Sequence, residues 1–394
     1  MLASDRRGTL YRALGALLVA SAPDGARQWM HHFPGDARVM VLSDAKADGG
    51  VAALVAMGGT LKLTRLSETG ELLWTAPVTP VSPFSASLVL DAAGGVVLVA
   101  PDLAGRNVSL VLFDGKGNAR ASLAWPDADS VRVARASDGK IIVARHSSKD
   151  IRFTWLTATG DAIAEHVWGV TATSFLMATD EDGTVVAVAD SPWSDAYPPA
   201  STSHPYLHST EPVFIKLSAD GHVDYQLIPE EHGYGYLDVG RVDALGIDRQ
   251  GNVWFEGNMT DRFGIGPFAA QNESYYDDPS GHPADALCGR FLAVLDRRGE
   301  PVWAHTLANH VPCKPRPVGL VTSRGGIVVA FNHRGDVPLH VPGESALARS
   351  TEGCRVVRFE SLPPVELAAR DYTVFPYPDR GRDLGVLVDG HRVP

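Results

Sequence analysis

The chain has 394 residues, with 39 Gly, 27 Pro and 3 Cys; 45% are apolar, 21% are charged, and the net charge is -11. This is globular usage, which excludes a disordered chain, and the acidic balance argues against a nucleic-acid or anionic-membrane binder, since either needs clustered Lys and Arg. No apolar run approaches the ~18 residues of a membrane-spanning helix, and three cysteines without a CxxC pair make neither a disulfide framework nor a metal or redox site.

Residues 1–22 support two readings. Arg6, Arg7 and Arg12, the apolar stretch 13–20 and the Ala20-Ser21-Ala22 step have the layout of a signal peptide. That reading implies a cell-envelope or extracellular protein. The same residues also read as a strand over 17–22, because Asp24-Gly25 falls in register with turns further along; a genuine start without a signal leaves the protein in the cytoplasm. The opening stretch, 1–8, matches the end of an inner strand and its turn. Either the C-terminal tail, 371–394, closes the structure with a strand at 385–389, or the true start lies upstream.

From there one step recurs, a Gly, one residue and an aliphatic that opens a β-branched run. It appears at Gly8-Thr9-Leu10, Gly49-Gly50-Val51, Gly94-Gly95-Val96, Gly139-Lys140-Ile141, Gly183-Thr184-Val185, Gly251-Asn252-Val253 and Gly325-Gly326-Ile327. Between copies, a Gly turn leads into a strand that often carries Trp: Gly25 and Trp29, Gly70 and Trp74, Gly117 and Trp125, Gly160 and Trp168, Gly299 and Trp303. Gly221 with Tyr225 is a weaker copy, and a degenerate seventh runs over 354–370. The fourth unit is the clearest, with strands predicted at 131–136, 140–146, 151–157 and 162–167. Alternation of period two marks strands, and four-stranded units of about 40–45 residues mark a β-propeller. The repeats therefore predict one all-β domain over 1–394, a seven-bladed β-propeller with four-stranded antiparallel blades.

Two strings carry a family resemblance: Asp243-Ala244-Leu245-Gly246-Ile247-Asp248-Arg249-Gln250-Gly251-Asn252-Val253, and Phe291-Leu292-Ala293-Val294-Leu295-Asp296-Arg297-Arg298-Gly299-Glu300-Pro301-Val302-Trp303. Together they resemble the bacterial seven-bladed β-propeller repeat family (SBBP-type). The resemblance is closest over the last three units. It implies a propeller, often in an envelope or secreted setting, and it brings no catalytic residues. The turn from Ser67 to Trp74 resembles the tryptophan-docking turn of quinone-dependent dehydrogenase propellers, but it does not recur intact.

With the strands of each blade named A to D from the axis outward, the B–C and D–A connections share one face. Long insertions at about 191–212, 260–288 and 334–353 all fall in B–C connections, in blades five, six and seven. Rigid scaffolds place binding on such loops. The first insertion carries Trp193 and Tyr206, and the second carries Tyr275, Tyr276, Asp277, Asp278 and His282. The D–A connection after blade five adds Glu230, Glu231, His232 and Tyr234. Carboxylates with aromatics suit a glycan or a basic protein segment, and they suit Ca²⁺, which takes oxygen ligands. The same residue types also keep an ordinary loop solvated. Cys288, Cys313 and Cys354 fall on this face, where one disulfide among them fits an exported protein. No resident cofactor is predicted, and no catalytic residue is assigned. The leading expectation is a non-enzymatic binding or scaffold propeller that recognises a glycan or protein partner through the loop-rich face of blades five to seven. The alternative is a carbohydrate-active lyase or hydrolase at the axial mouth.

Overall fold

Alternating apolar residues set the strands. Over 151–156, Ile151, Phe153 and Trp155 are buried, while Arg152 between them is exposed. The computed structural model describes residues 2–359 apart from 193–209, 228–240, 272–286, 313–318 and 334–352 and some shorter stretches, chiefly 23–25 and 44–48, together with 386–388 and 391–393.

Blade one comprises β1 Leu2–Ser4, β2 Leu10–Leu14, β3 Leu17–Ser21 and β4 Arg27–His32; blade two comprises β5 Arg38–Leu42, β6 Val51–Met57, β7 Thr60–Leu66 and β8 Leu72–Val78. Blade three is β9 Ser87–Leu90, β10 Val96–Pro101, β11 Asn107–Phe113 and β12 Ala119–Pro126. Blade four is β13 Ser130–Arg135, β14 Ile141–His146, β15 Ile151–Leu156 and β16 Ala162–Trp168. Blade five is β17 Ser174–Thr179, β18 Val185–Pro192, β19 Thr210–Leu217 and β20 Val223–Leu227. In blade six a hairpin, β23 Arg262–Ile265 and β24 Phe268–Gln271, is inserted between β22 Val253–Met259 and β25 Leu287–Leu295; β21 Arg241–Ile247 and β26 Pro301–Pro312 flank that pair. A three-stranded sheet follows, β27 Gly319–Ser323, β28 Gly326–His333 and β29 Gly353–Phe359, and near the C-terminus β30 Val386–Val388 pairs with β31 His391–Val393.

The fold is thus an all-β propeller of antiparallel four-stranded blades, with six of them among the described residues rather than the seven expected. The seventh repeat is the three-stranded sheet. Its sequence departs from the other copies: after Phe359 no glycine occurs before Gly381, so the Gly turn that leads into a fourth strand is missing, and the chain carries Pro363-Pro364. Proline donates no ladder hydrogen bond, so that stretch is poorly suited to a fourth strand. β27 packs against β21 on one side and β1 on the other.

Each seam between consecutive blades, from one to six, holds its own apolar cluster. A sheet buried on both faces cannot shed either face to water, so neighbouring blades stabilise each other. Aromatic rings reinforce the seams at the C–D turns. A Cβ added at Gly70 would lie 2.7 Å from the Trp29 ring of the preceding blade, and one at Gly117 would lie 2.8 Å from Trp74. Gly299 meets Tyr225 at 3.0 Å in the same way. Both Gly70 and Gly117 have φ of 83°, the left-handed region that favours glycine. Trp29 also donates its indole N–H to the Glu68 carbonyl at 2.7 Å.

Two seams are built differently. The third residues of β12 and β16 are Ala121 and Ala164, where β4, β8 and β20 carry Trp29, Trp74 and Tyr225. Gly160 therefore faces Leu123 and Leu112 at 3.6 and 3.7 Å, and Gly221 faces Trp155 of β15 at 3.3 Å. Trp125, near the far end of β12, instead lies under the Arg145 guanidinium of blade four, 4.8 Å from the ring centre.

Gly117→Ala is expected to cost about 2–4 kcal/mol, because it adds a ring clash to an unfavourable φ, whereas Gly160→Ala should cost about 1 kcal/mol from the backbone alone. Urea denaturation of the two variants checks this. Equal losses would remove the ring contact from the stability of the seam.

Candidate functional site

The two ends of the propeller are built unequally. At one end lie the A–B and C–D turns, several of them closed by an Asp, Ser or Thr side chain that accepts from its own turn's backbone. Asp114 Oδ1 accepts the N–H groups of Lys116 and Asn118, both at 2.9 Å, and these bonds, Asn118 first, hold its pKa down at about 2. Asp180 Oδ1 accepts those of Asp182 and Thr184 at 2.9 and 2.8 Å, so Asp180-Glu181-Asp182-Gly183 is a turn of this kind.

The opposite end carries the B–C connections. In blades one and two these are the tight turns at Gly15-Ala16 and Gly58-Gly59, and in blade four a short turn at 147–150. In blades five and six and in the three-stranded sheet they lengthen to 193–209, 260–286 and 334–352. Blade six is also taller at this end. β26 runs for 12 residues, with Cys288 opposite Val311 and Leu287 opposite Pro312, and β24 packs against it.

Trp193, Tyr206, Glu230, Glu231, His232, Tyr234, Tyr275, Tyr276, Asp277, Asp278, His282 and Cys313 lie outside the described residues. Cys288 falls on β25 and Cys354 on β29.

Beneath the insertions, the described strand ends hold charged and polar side chains that the repeat pattern did not single out. In blade six, Arg290 on β25 lies directly opposite Asn258 on β22. Its Nε donates to Glu256 Oε1 at 2.5 Å and its Nη2 to Asp243 Oδ2 at 3.2 Å, while Asn258 Nδ2 donates to the same Asp243 oxygen at 3.1 Å. Asp243 reaches them because β21 is irregular there: the register shifts between Val242 and Ala244. Glu256 is fully buried, and among the described residues its Oε2 has no hydrogen-bond partner. Burial pushes its pKa up to about 7 against the pull of Arg290, and Asp243 adds to the rise.

In blade five, Ser174 donates a hydrogen bond to Asp190, the residue opposite it on β18. In blade four, His146 Nε2 donates to the Ala172 carbonyl at 2.9 Å, which leaves Nδ1 to accept from Ser130 at 3.4 Å. The Arg132 guanidinium lies over Phe175 of blade five, 5.6 Å from the ring centre.

The groups of blades five and six fasten strands from which insertions leave, and those of blade four tie it to blade five. The sequence signal for them was an ionic residue inside an apolar strand run, Glu256 after Val253-Trp254-Phe255 and Arg290 before Phe291-Leu292-Ala293. Among the described residues, no group of three or more His, Cys, Asp or Glu is arranged to hold a metal ion.

No family model matches the chain, and no curated protein matches it. Solved structures that resemble it include the Dos1 propeller, 11% identical with a TM-score of 0.44, covering 82% of this chain and 71% of that one. A protein of unknown function from Bacteroides caccae is 10% identical with a TM-score of 0.38, over 76% of this chain and 93% of that one. BBS1N, solved in complex with ARL6DN, is 10% identical with a TM-score of 0.41, over 63% and 71%. All three are distant in sequence and in superposition.

An acid with a raised folded pKa binds its proton more tightly when folded. The Glu256 contribution to stability is therefore fully present below the ordinary value of 4.5 and is lost as the pH rises to about 7. Glu256→Gln is expected to flatten that part of the pH–stability curve in urea unfolding at stepped pH. A variant that keeps the wild-type slope would place the titrating group elsewhere.

Proposed function

We propose that this chain is a non-enzymatic binding or scaffold propeller that recognises a glycan or protein partner through the loop-rich face of blades five and six and the three-stranded sheet. One observation carries the reading: insertions in three successive sheets leave from the same end, where β26 and the β23–β24 hairpin already raise blade six. Repeats need only short links to stack, so length concentrated at one end points to recognition. In this reading the three-stranded sheet is an incomplete seventh blade that closes the ring between β21 and β1. Kinship with the bacterial SBBP-type repeats, and a place in the cell envelope or outside the cell, rest on the two repeat strings of blade six.

Trp193, Tyr206, Tyr234, Tyr275 and Tyr276 are the stacking candidates, and Glu230, Glu231, His232, Asp277, Asp278 and His282 are the polar ones. Asp277, Asp278 and Glu230 are the oxygen ligands Ca²⁺ would take. Cys288, Cys313 and Cys354 are the candidates for one disulfide in an oxidising compartment. A glycan hydrolase needs two carboxylates open to its substrate. Asp243 and Glu256 share Arg290 instead, and Glu256 is fully buried, so this pair gives the enzymatic alternative no support.

The test is a glycan array probed with the intact chain and with a variant whose 273–285 stretch is replaced by a short Gly-Ser link. Binding by the intact chain, lost in a variant that melts normally, is expected. Undiminished binding by the variant, or release of shortened glycans, would contradict the reading.

A further inference from the structure

Arg132 is a cation where the repeat otherwise places aliphatic side chains. The inner strands of blades three, four and five each begin with a serine, Ser87, Ser130 and Ser174. Two residues on, they carry Val89, Arg132 and Leu176, facing Val97, Ala144 and Val188 across the strand pair. Nothing in the stacking of blades requires a charge there, because both neighbouring blades manage without one.

The half-buried Arg132 sits in the seam between blades four and five, over Phe175. One N–H donates to the Val131 carbonyl at 2.9 Å, and among the described residues no carboxylate reaches the guanidinium. Burial alone pushes its pKa down from the usual arginine range. His146, whose ring centre lies 5.8 Å from that of Phe175, is held by Ser130 and Ala172 and brings no negative charge. Other buried arginines are answered: Arg135 by Asp91, Arg145 by Glu165, and Arg290 by Glu256 and Asp243. Arg65, which has no carboxylate in an ion pair among the described residues, is answered by the carbonyls of Gly49, Val51 and Leu66, where Arg132 has one carbonyl. Leaving a partly desolvated charge without a counter-ion is unfavourable in a chain whose acids outnumber its bases, 46 to 35. A guanidinium fork with free N–H groups fits one partner best, a planar carboxylate bound through two hydrogen bonds.

We propose that Arg132 recognises the carboxylate of an acidic sugar, at the insertion-bearing end of the seam between blades four and five. The inference rests on the binding function proposed above and narrows its ligand to uronic-acid glycans. A multiply acidic protein segment fits less well on a chain of net charge -11, whereas a single carboxylate on a ring meets little of that repulsion.

The experiment titrates the intact chain with D-glucuronate, D-glucose and N-acetylaspartate, following the arginine side-chain N–H resonances by NMR. Glucuronate is expected to bind about tenfold or more tighter than glucose and to shift the Arg132 resonance, as a charge-assisted fork predicts. Arg132→Leu should remove that preference and still melt at or above the wild-type temperature, since leucine is what blade five carries at this position. Arg132→Lys should keep part of it. Three outcomes would overturn the proposal: equal affinity for glucuronate and glucose, N-acetylaspartate as the tighter ligand, or a large drop in melting temperature for Arg132→Leu that marks a structural role. Binding of neutral glycans on the array without any preference for glucuronate would leave the binding function standing and remove this inference alone.

Discussion

A glycine with φ of 83–87° at the head of a C–D hairpin lets an aromatic ring from the preceding blade come closer than any Cβ would allow. Trp29 on Gly70, Trp74 on Gly117 and Tyr225 on Gly299 are three instances of one constraint. Each ring covers the end of an apolar seam that would otherwise open to water. Each glycine in turn has to stay a glycine, since a side chain would strain the turn and strike the ring. The seams between blades three and four and between four and five meet the same need with Leu123 and Leu112, and with Trp155. The geometry repeats more faithfully than the residues do.

Fastening the blades at the C–D end has a consequence at the other end. Turns that dock on a neighbour cannot grow, so added chain has to leave from the B–C and D–A connections. The longest added stretches do so, in blades five and six and in the three-stranded sheet. In blade six, Arg290 ties β25 to Glu256 on β22 and to Asp243 on β21, at the base of the 260–286 insertion and just after the 228–240 connection. A buried ion cluster is a costly way to stabilise a sheet, and its use at this point marks where strand positions have to be defined.

Much of this was legible in the sequence, because the signals were local. Strands predicted at 131–136, 140–146, 151–157 and 162–167 are β13 Ser130–Arg135, β14 Ile141–His146, β15 Ile151–Leu156 and β16 Ala162–Trp168. The glycine turns and the four-strand unit followed from the same alternation. The blade count did not, because the step at Gly325-Gly326-Ile327 was counted as a full unit although the Gly turn that leads into a fourth strand is missing after Phe359. The ring contacts were hidden as well. Trp29 and Gly70 belong to different repeats, and only the closed stacking of blades brings them together. Arg132, Glu256 and Arg290 were visible as charges inside apolar strands, but their partners lie on other strands, beyond the reach of a periodic pattern. The loop candidates were chosen by composition and position, and residues such as Tyr275 and Asp277 lie outside the described part of the structure.

The packing of β27 on β21 and on β1 closes the blades into a ring, so the inner strands should hold together as one unit. Hydrogen exchange along the whole chain tests it most directly. The inner strands β5, β9, β13, β17 and β21 are expected to exchange slowly together, with β1 and β27 sharing this protection because each packs on the other. Fast exchange in β1 and β27 beside protected inner strands elsewhere would mean that the ring is open, and the account would fail at its base.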